Sequence, residues 1–203
     1  PACAAGSFVA PTIIELADIA QLQHEVFGPV LHVLRYRRDR LDALLAALAA
    51  TGYALTFGVH SRIDETIARA VAVAPAGNIY VNRTLIGAVV GVQPFGGHGL
   101  SGTGPKAGGP LYLRRLTADA PPLPLPAIGV EIELPGPVGE RNTWRLEPRG
   151  TVLCVAATPA ALAEQHAAAH ATGNRVTDDP DAPCDAALFD GPPDALRALA
   201  GRL

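Results

Sequence analysis

The chain has 203 residues, 49% hydrophobic and 17% charged, enough apolar material for one medium globular domain or two small ones. A formal net charge of −3 supplies no basic field, so nucleic acid is excluded as a partner. Cys3, Cys154 and Cys184 are odd in number and far apart, which argues against a disulfide framework or structural zinc and for a reducing compartment.

In chain order, residues 8–14 form a short, apolar, β-branched run expected to be a buried strand, with Pro11 marking a bend or an edge. Residues 16–24 fit either a loop or a single helical turn. Glu25-Val-Phe-Gly-Pro29 then leads into a second strand over residues 30–36. Asp39 is expected as the N-cap of a helix whose Leu41, Leu44, Leu45 and Leu48 share one stripe, with Gly52 as its stop. Residues 41–59 are the one long apolar run, but Asp42, Thr51, Gly52 and Thr56 make it a helix followed by a strand, not a membrane span. Ser61 is expected to cap the next helix, with Ile63, Ile67, Ala70 and Val71 on its buried face and Pro75 and Gly77 ending it. Residues 78–82 read as a strand, and the alternation so far predicts a parallel α/β sheet with ligand loops at the carboxyl ends of its strands.

That strand opens into Gly91-Val-Gln-Pro-Phe-Gly-Gly-His-Gly-Leu-Ser-Gly-Thr-Gly-Pro-Lys-Ala-Gly-Gly-Pro110, too rich in glycine for a helix or a regular strand. Its glycines allow the backbone to approach a ligand. The spacing from Gly97 to Gly102 matches a dinucleotide fingerprint, yet Thr103-Gly104-Pro105 follows where a helix would have to start. Lys106 lacks the upstream glycine spacing and the following Ser/Thr of a phosphate loop. Beyond it, prolines 121, 122, 124, 126, 135 and 137 among alternating Val130, Ile132 and Leu134 predict an extended linker with one edge strand. An α/β pattern then restarts, with strands over 151–156 and 186–189 and helices over 159–171 and 193–203, Gly173 ending the first helix.

The proline-phenylalanine-glycine-glycine turn followed by serine-glycine resembles the C-terminal signature of aldehyde dehydrogenases. Asn82-Arg83, the run from Gly87 to Gly97 and the run from Gly99 to Leu113 are most similar to the L-glutamate γ-semialdehyde dehydrogenase module of the proline utilization A family. Gly139-Glu-Arg-Asn-Thr143 and Leu146-Glu-Pro-Arg-Gly150 resemble the start of that family's C-terminal domain of unknown function. The resemblance implies residues 1–117 as the C-terminal part of a catalytic domain, 118–137 as an extended Pro-rich linker, and 138–203 as a partial Rossmann-like accessory unit. A chain that begins at Pro1, lacks methionine and ends on Arg202-Leu203 is expected to be a fragment.

By the same resemblance Glu25 holds the ribose of NAD and Phe27 bounds its nicotinamide ring, chemistry that a carboxylate and an aromatic ring can supply. Phe95 forms one wall of an aldehyde pocket. Gly108 and Gly109 offer backbone amides to the substrate's α-carboxylate, since paired amides bind anions without a cation. The implied activity is oxidation of L-glutamate γ-semialdehyde to glutamate by a cytoplasmic homo-oligomer, with FAD in an upstream proline dehydrogenase. The bland readings are a surface Glu25 beside a core Phe27 at a proline turn, and Ser101 as a turn residue only. His98 stands where the family commonly has an acidic residue. Cys3 is too near Glu25 and in the wrong context to be the family nucleophile, and Cys154 and Cys184 are expected to be inert. No catalytic residue is therefore assigned, and the 203 residues alone are expected to be inactive. His166 and His170 stand at a metal-capable spacing without a third ligand, so solvent-facing histidines are expected. Two alternatives remain: a non-catalytic scaffold or oligomerisation module, and an aldehyde dehydrogenase of other substrate choice.

Overall fold

Short β-branched runs separated by turn residues pair as parallel ladders in the computed structural model, which describes residues 5–117 and 126–203. Two units divide between residues 120 and 121. In the first, β1 (Thr12–Leu16) and β2 (Val30–Leu34) run parallel, with Ile13 opposite Leu31. The strand expected over 8–14 begins later because Pro11 has no amide to donate; the first rung is the Thr12 amide on the Pro29 carbonyl at 2.9 Å. Between the strands a single 3-10 turn, Ile19–Gln21, is capped reciprocally. The Asp18 carboxylate accepts from the Ala20 amide at 2.8 Å, and the Gln21 side-chain oxygen Oε1 accepts from the Ala17 and Asp18 amides at 2.7 and 3.2 Å.

Both expected caps of the next helices fall elsewhere. Helix α1 (Leu41–Ala50) has Arg40 at its N-cap, while Asp39 lies in the preceding 3-10 turn with its carboxylate on the Arg37 guanidinium at 3.1 and 3.2 Å. The arginine pair competes for the carboxylate that would otherwise cap. Gly52 does end the helix, at φ +76°, where a residue with a Cβ is strained. After β3 (Tyr53–Ala54) and β4 (Thr56–Val59), helix α2 starts at Asp64 and ends at Val73, with Ile63 as N-cap. Ser61 instead accepts the Ile63 amide in a short turn at 3.1 Å, and Asp64 and Glu65 meet the positive end of the helix. Of the predicted buried face only Ala70 is fully covered.

Strand β5 (Asn78–Val81) pairs parallel with β4, and β6 (His98–Gly99) pairs antiparallel with β3. The single parallel sheet expected here is thus a set of separate two-stranded ladders among the described residues. The chain turns at Leu55, so β3 takes its partner from the glycine-rich loop while β4 takes β5.

The second unit opens with an antiparallel hairpin of β7 (Ile132–Leu134) and β8 (Asn142–Trp144), Ile132 facing Trp144. Of the linker expected over 118–137, residues 126–137 are described, whereas Pro121, Pro122 and Pro124, like Cys3, lie outside the described residues. Next come β9 (Thr151–Ala156), α3 (Pro159–Ala171), β10 (Arg175–Thr177), β11 (Ala186–Asp190) and α4 (Pro193–Ala200). The three strands are parallel in the order β10-β9-β11. Central β9 buries Val152, Leu153 and Cys154 in succession, as a strand covered on both faces must, and Ala169, Leu162, Val176 and Ala186 pack around it. Thr158 caps α3 by accepting the Ala161 amide at 3.2 Å, Pro159 takes its first position, and Gly173 at φ +74° follows its end.

The β1–β2 ladder contrasts with β9. Ile13 is 73% exposed and its cross-strand neighbour Leu31 57%, although parallel strands are ordinarily covered on both faces. An isolated 203-residue chain is expected to self-associate through these apolar side chains, at roughly 25 cal/mol per Å² covered. Sedimentation velocity checks this: Ile13→Lys with Leu31→Glu should shift the chain toward monomer, and a monomeric unsubstituted chain would contradict it.

Candidate functional site

The glycine-rich loop leaves β5 at Asn82, whose φ of +54° is a left-handed conformation that asparagine tolerates. Its side chain locks the turn by accepting the Ser61 amide at 2.9 Å and donating to the Ser61 carbonyl at 3.0 Å. Arg83 lies over the Tyr80 ring, 5.1 Å from its centroid. Farther along, buried Gln93 accepts the Val89 amide at 3.0 Å through its side chain.

The loop then returns to the start of β5 and is clamped there. Asn78 donates to the Pro94 carbonyl at 2.9 Å and accepts the Gly96 amide at 3.1 Å, so one side chain holds both sides of Phe95. Phe95 and Ala107 exchange backbone hydrogen bonds at 3.0 and 2.8 Å, closing the loop on itself. The Lys106 ammonium donates to the Gly77 carbonyl, and burial pushes its pKa down. Ser101 is more than a turn residue, for its hydroxyl oxygen accepts the Ala54 amide of β3 at 3.1 Å.

The expected site residues fall into two groups. Phe95, Gly108 and Gly109 are brought together by the Phe95–Ala107 bridge. Phe95 is half-buried, Gly108 sits at φ +71° with open space where a Cβ would be, and the Gly109 amide donates to the Lys106 carbonyl at 3.0 Å. Glu25 and Phe27 lie on the exposed turn before β2, the Phe27 ring 95% exposed. The Glu25 amide donates to the Tyr53 hydroxyl at 3.4 Å, and the Tyr53 backbone pairs with Gly99, so the turn is tied to the strand that holds the loop.

Other candidates fare differently. His166 is half-buried and bonded to Asp178 at 2.6 Å rather than facing solvent, while His170 is exposed. Among the described residues no group of three potential metal ligands occurs. Cys154 is buried in β9, its thiol pushed up by burial and by Asp178, and Cys184 is half-buried. Sequence reasoning passed over the side-chain roles of Asn78 and Gln93, and weighed Lys106 only as a phosphate-loop lysine. Only Asn78 carried a signal, a polar residue poor in β-propensity opening a strand.

Comparison with known protein families matches residues 1–119 to the aldehyde dehydrogenase family. The chain belongs to the aldehyde dehydrogenase family. It is 53% identical to the bifunctional protein PutA of Rhizobium meliloti over 86% of this chain and 17% of that protein. A solved structure of proline utilization A from Corynebacterium freiburgense covers 94% of this chain with 24% of its own, at TM-score 0.69 and 26% identity. A 1-pyrroline-5-carboxylate dehydrogenase from Thermus, solved with bound NAD, covers 54% of this chain and 21% of its own at TM-score 0.50 and 45% identity. This aldehyde dehydrogenase chain spans about a fifth of the length of the curated relatives it matches. No helix among its described residues is long and apolar enough to cross a membrane.

The loop's tightest point is Gly77, where an added Cβ would meet the Gly96 carbonyl oxygen at 1.8 Å. Gly77→Ala should lower stability by more than Gly108→Ala, whose cost is the left-handed backbone alone, about 1–2 kcal/mol. Urea unfolding of the two variants measures the difference; equal midpoints would mean the loop does not rest on β5 at Gly77.

Proposed function

We propose that this chain is the C-terminal part of an NAD-dependent dehydrogenase that oxidises L-glutamate γ-semialdehyde to L-glutamate within a bifunctional enzyme of proline catabolism. The observation that supports it is the Phe95–Ala107 bridge, which joins the backbone at Phe95 to the segment that runs on into Gly108 and Gly109. A substrate with a reactive aldehyde at one end and an α-carboxylate at the other matches an apolar residue followed by the exposed backbone at Gly108, the Gly109 amide being bonded to the Lys106 carbonyl. Likeness to PutA and to 1-pyrroline-5-carboxylate dehydrogenases supports the same substrate.

In this reading Glu25 receives hydrogen bonds from the ribose hydroxyls and Phe27 confines the nicotinamide, which when bound accepts the hydride. The attacking thiolate comes from elsewhere in the enzyme, because a thiol buried in a strand with its pKa raised is a poor nucleophile, as at Cys154. Residues 1–117 form the end of the catalytic domain and 118–137 the connection. Residues 138–203 form a partial Rossmann-like accessory unit, a reading supported by the parallel order β10-β9-β11. The parent enzyme is a cytoplasmic homo-oligomer that carries FAD in a separate proline dehydrogenase domain. Unpaired Cys154 and Cys184 suit a reducing compartment.

Glu25→Gln in the full-length enzyme should weaken productive NAD positioning, with the loss of a charge-assisted hydrogen bond worth roughly 1.5–3 kcal/mol. Unchanged NAD affinity and turnover would remove Glu25 from the site.

Gly109→Val adds a branched side chain 3.0 Å from the Lys106 carbonyl and 3.2 Å from the Pro94 Cβ, counted from the Cβ position. It should raise KM for glutamate semialdehyde more than KM for propanal, which has no α-carboxylate. Equal increases would reduce the glycine pair to a role in shaping the loop.

A further inference from the structure

Lys106 stands inside the glycine-rich loop with three separate attachments. Its Nζ donates to the Gly77 carbonyl at the start of β5, twenty-nine residues back along the chain. Its own carbonyl accepts the Gly109 amide at 3.0 Å. Its neighbour Ala107 holds Phe95 through two backbone bonds. The stem is packed as well, since a Cβ at Gly96 would lie 3.2 Å from both Cα and Cγ of Lys106. One extended side chain thus spans the gap between the strand and the two segments that flank the proposed substrate.

Resting on the carboxylate-anchor reading above, we propose that Lys106 is a positioning residue for substrate selectivity. By fastening the loop to Gly77 it fixes Phe95 and the turn that carries the Gly108 amide at one spacing, so that the two fit the two ends of a single small semialdehyde. It acts through the backbone, because its charge is engaged by a peptide carbonyl. Loss of the tie lets the turn at 106–109 drift against Phe95, which weakens recognition of the carboxylate while the aldehyde end still reacts.

The pH behaviour has a definite sign. Desolvation favours the neutral amine, so the charge-assisted bond to Gly77 is complete at low pH and weakens as pH rises through the lowered pKa.

The test uses the full-length enzyme with Lys106→Met, which keeps the stem and deletes the charge, and Lys106→Arg, which keeps a donor. Lys106→Met should raise KM for glutamate semialdehyde about tenfold, leave KM and kcat for propanal within about twofold, and be largely rescued in Lys106→Arg. Without substrate, hydrogen exchange of the segment 94–110 should be faster in Lys106→Met than in the unsubstituted enzyme. Equal KM increases for both aldehydes, or none for either, overturn the proposal. A selective KM increase with unchanged exchange also overturns it, because the ammonium would then be touching the carboxylate directly. If the unsubstituted enzyme itself shows no preference for the semialdehyde over propanal, the anchor reading fails, and the exchange measurement still decides whether Lys106 holds the loop.

Discussion

Where β5 begins, the backbone of Gly77 approaches the loop so closely that an added Cβ would meet the Gly96 carbonyl oxygen at 1.8 Å and the Gly97 Cα at 2.9 Å. The other attachments of the loop depend on that approach. Asn78 reaches Pro94 and Gly96 only because the next residue back has no side chain, and Lys106 finds the Gly77 carbonyl within its span. Gly77 also donates to the Ala54 carbonyl at 3.0 Å, which joins the loop's seat to β3. Gly97 repeats the constraint from the other side, where a Cβ would fall 2.6 Å from the Ser101 carbonyl and 3.0 Å from that of Ala54. Backbone-to-backbone packing of this kind leaves the amides and carbonyls to satisfy each other or a ligand.

The second unit is held by a different device. Leu153 is fully buried, and the loops at the amino ends of its strands are tied by side chains to backbone. Asn174 accepts the Arg149 and Gly150 amides at 2.6 and 3.0 Å, and Asp185 accepts the Thr151 amide at 2.7 Å. These two polar residues satisfy the donors that β9 exposes before its ladder starts, so the strand enters the sheet without orphaned amides. A hydrophobic strand and two short polar side chains suffice to fix where the parallel sheet begins.

That difference explains what could be seen in the sequence. β9 and α3 were legible to the residue because a threonine-led run of five apolar residues and a proline-started alanine-rich helix are set by local pattern. The strands β6 and β10 were missed and β3 was merged with β4 into one expected strand, since two or three residues carry no period and exist only through partners elsewhere in the chain. Asp39 and Ser61 were misplaced as caps by the same logic: an adjacent Arg37 in one case and a tight turn to Ile63 in the other took the oxygen first. In the loop, the glycine count announced close approach, yet which glycine lies against what is a matter of contacts sixteen to twenty-nine residues apart, as with Asn78 and Lys106. Glu25 and Phe27 were found by motif, and no local pattern could have tied Glu25 to Tyr53.

The electrostatics of the first unit bear on how a small anion would be chosen. Its arginines around β2 are matched to carboxylates, Arg35 to Glu15 at 2.7 Å and Arg37 to Asp39 at 3.1 Å, and these pairs are exposed and therefore weak. Lys106 is charged within the loop but engaged by the Gly77 carbonyl. On the proposed reading, selectivity for a carboxylate-bearing aldehyde then comes from backbone dipoles of the turn at Gly108 held at a fixed spacing from Phe95, not from a free cation. Such donors attract less over long range than an ammonium, but they discriminate by geometry, since a displaced carboxylate loses directional hydrogen bonds. A loop built from glycine can present donors this closely only if something rigid stops it from exploring other conformations, and here the restraint comes from the side chains of Asn78, Ser101 and Lys106. Flexible backbone for close approach and long-range side-chain ties for precision are therefore two halves of one requirement.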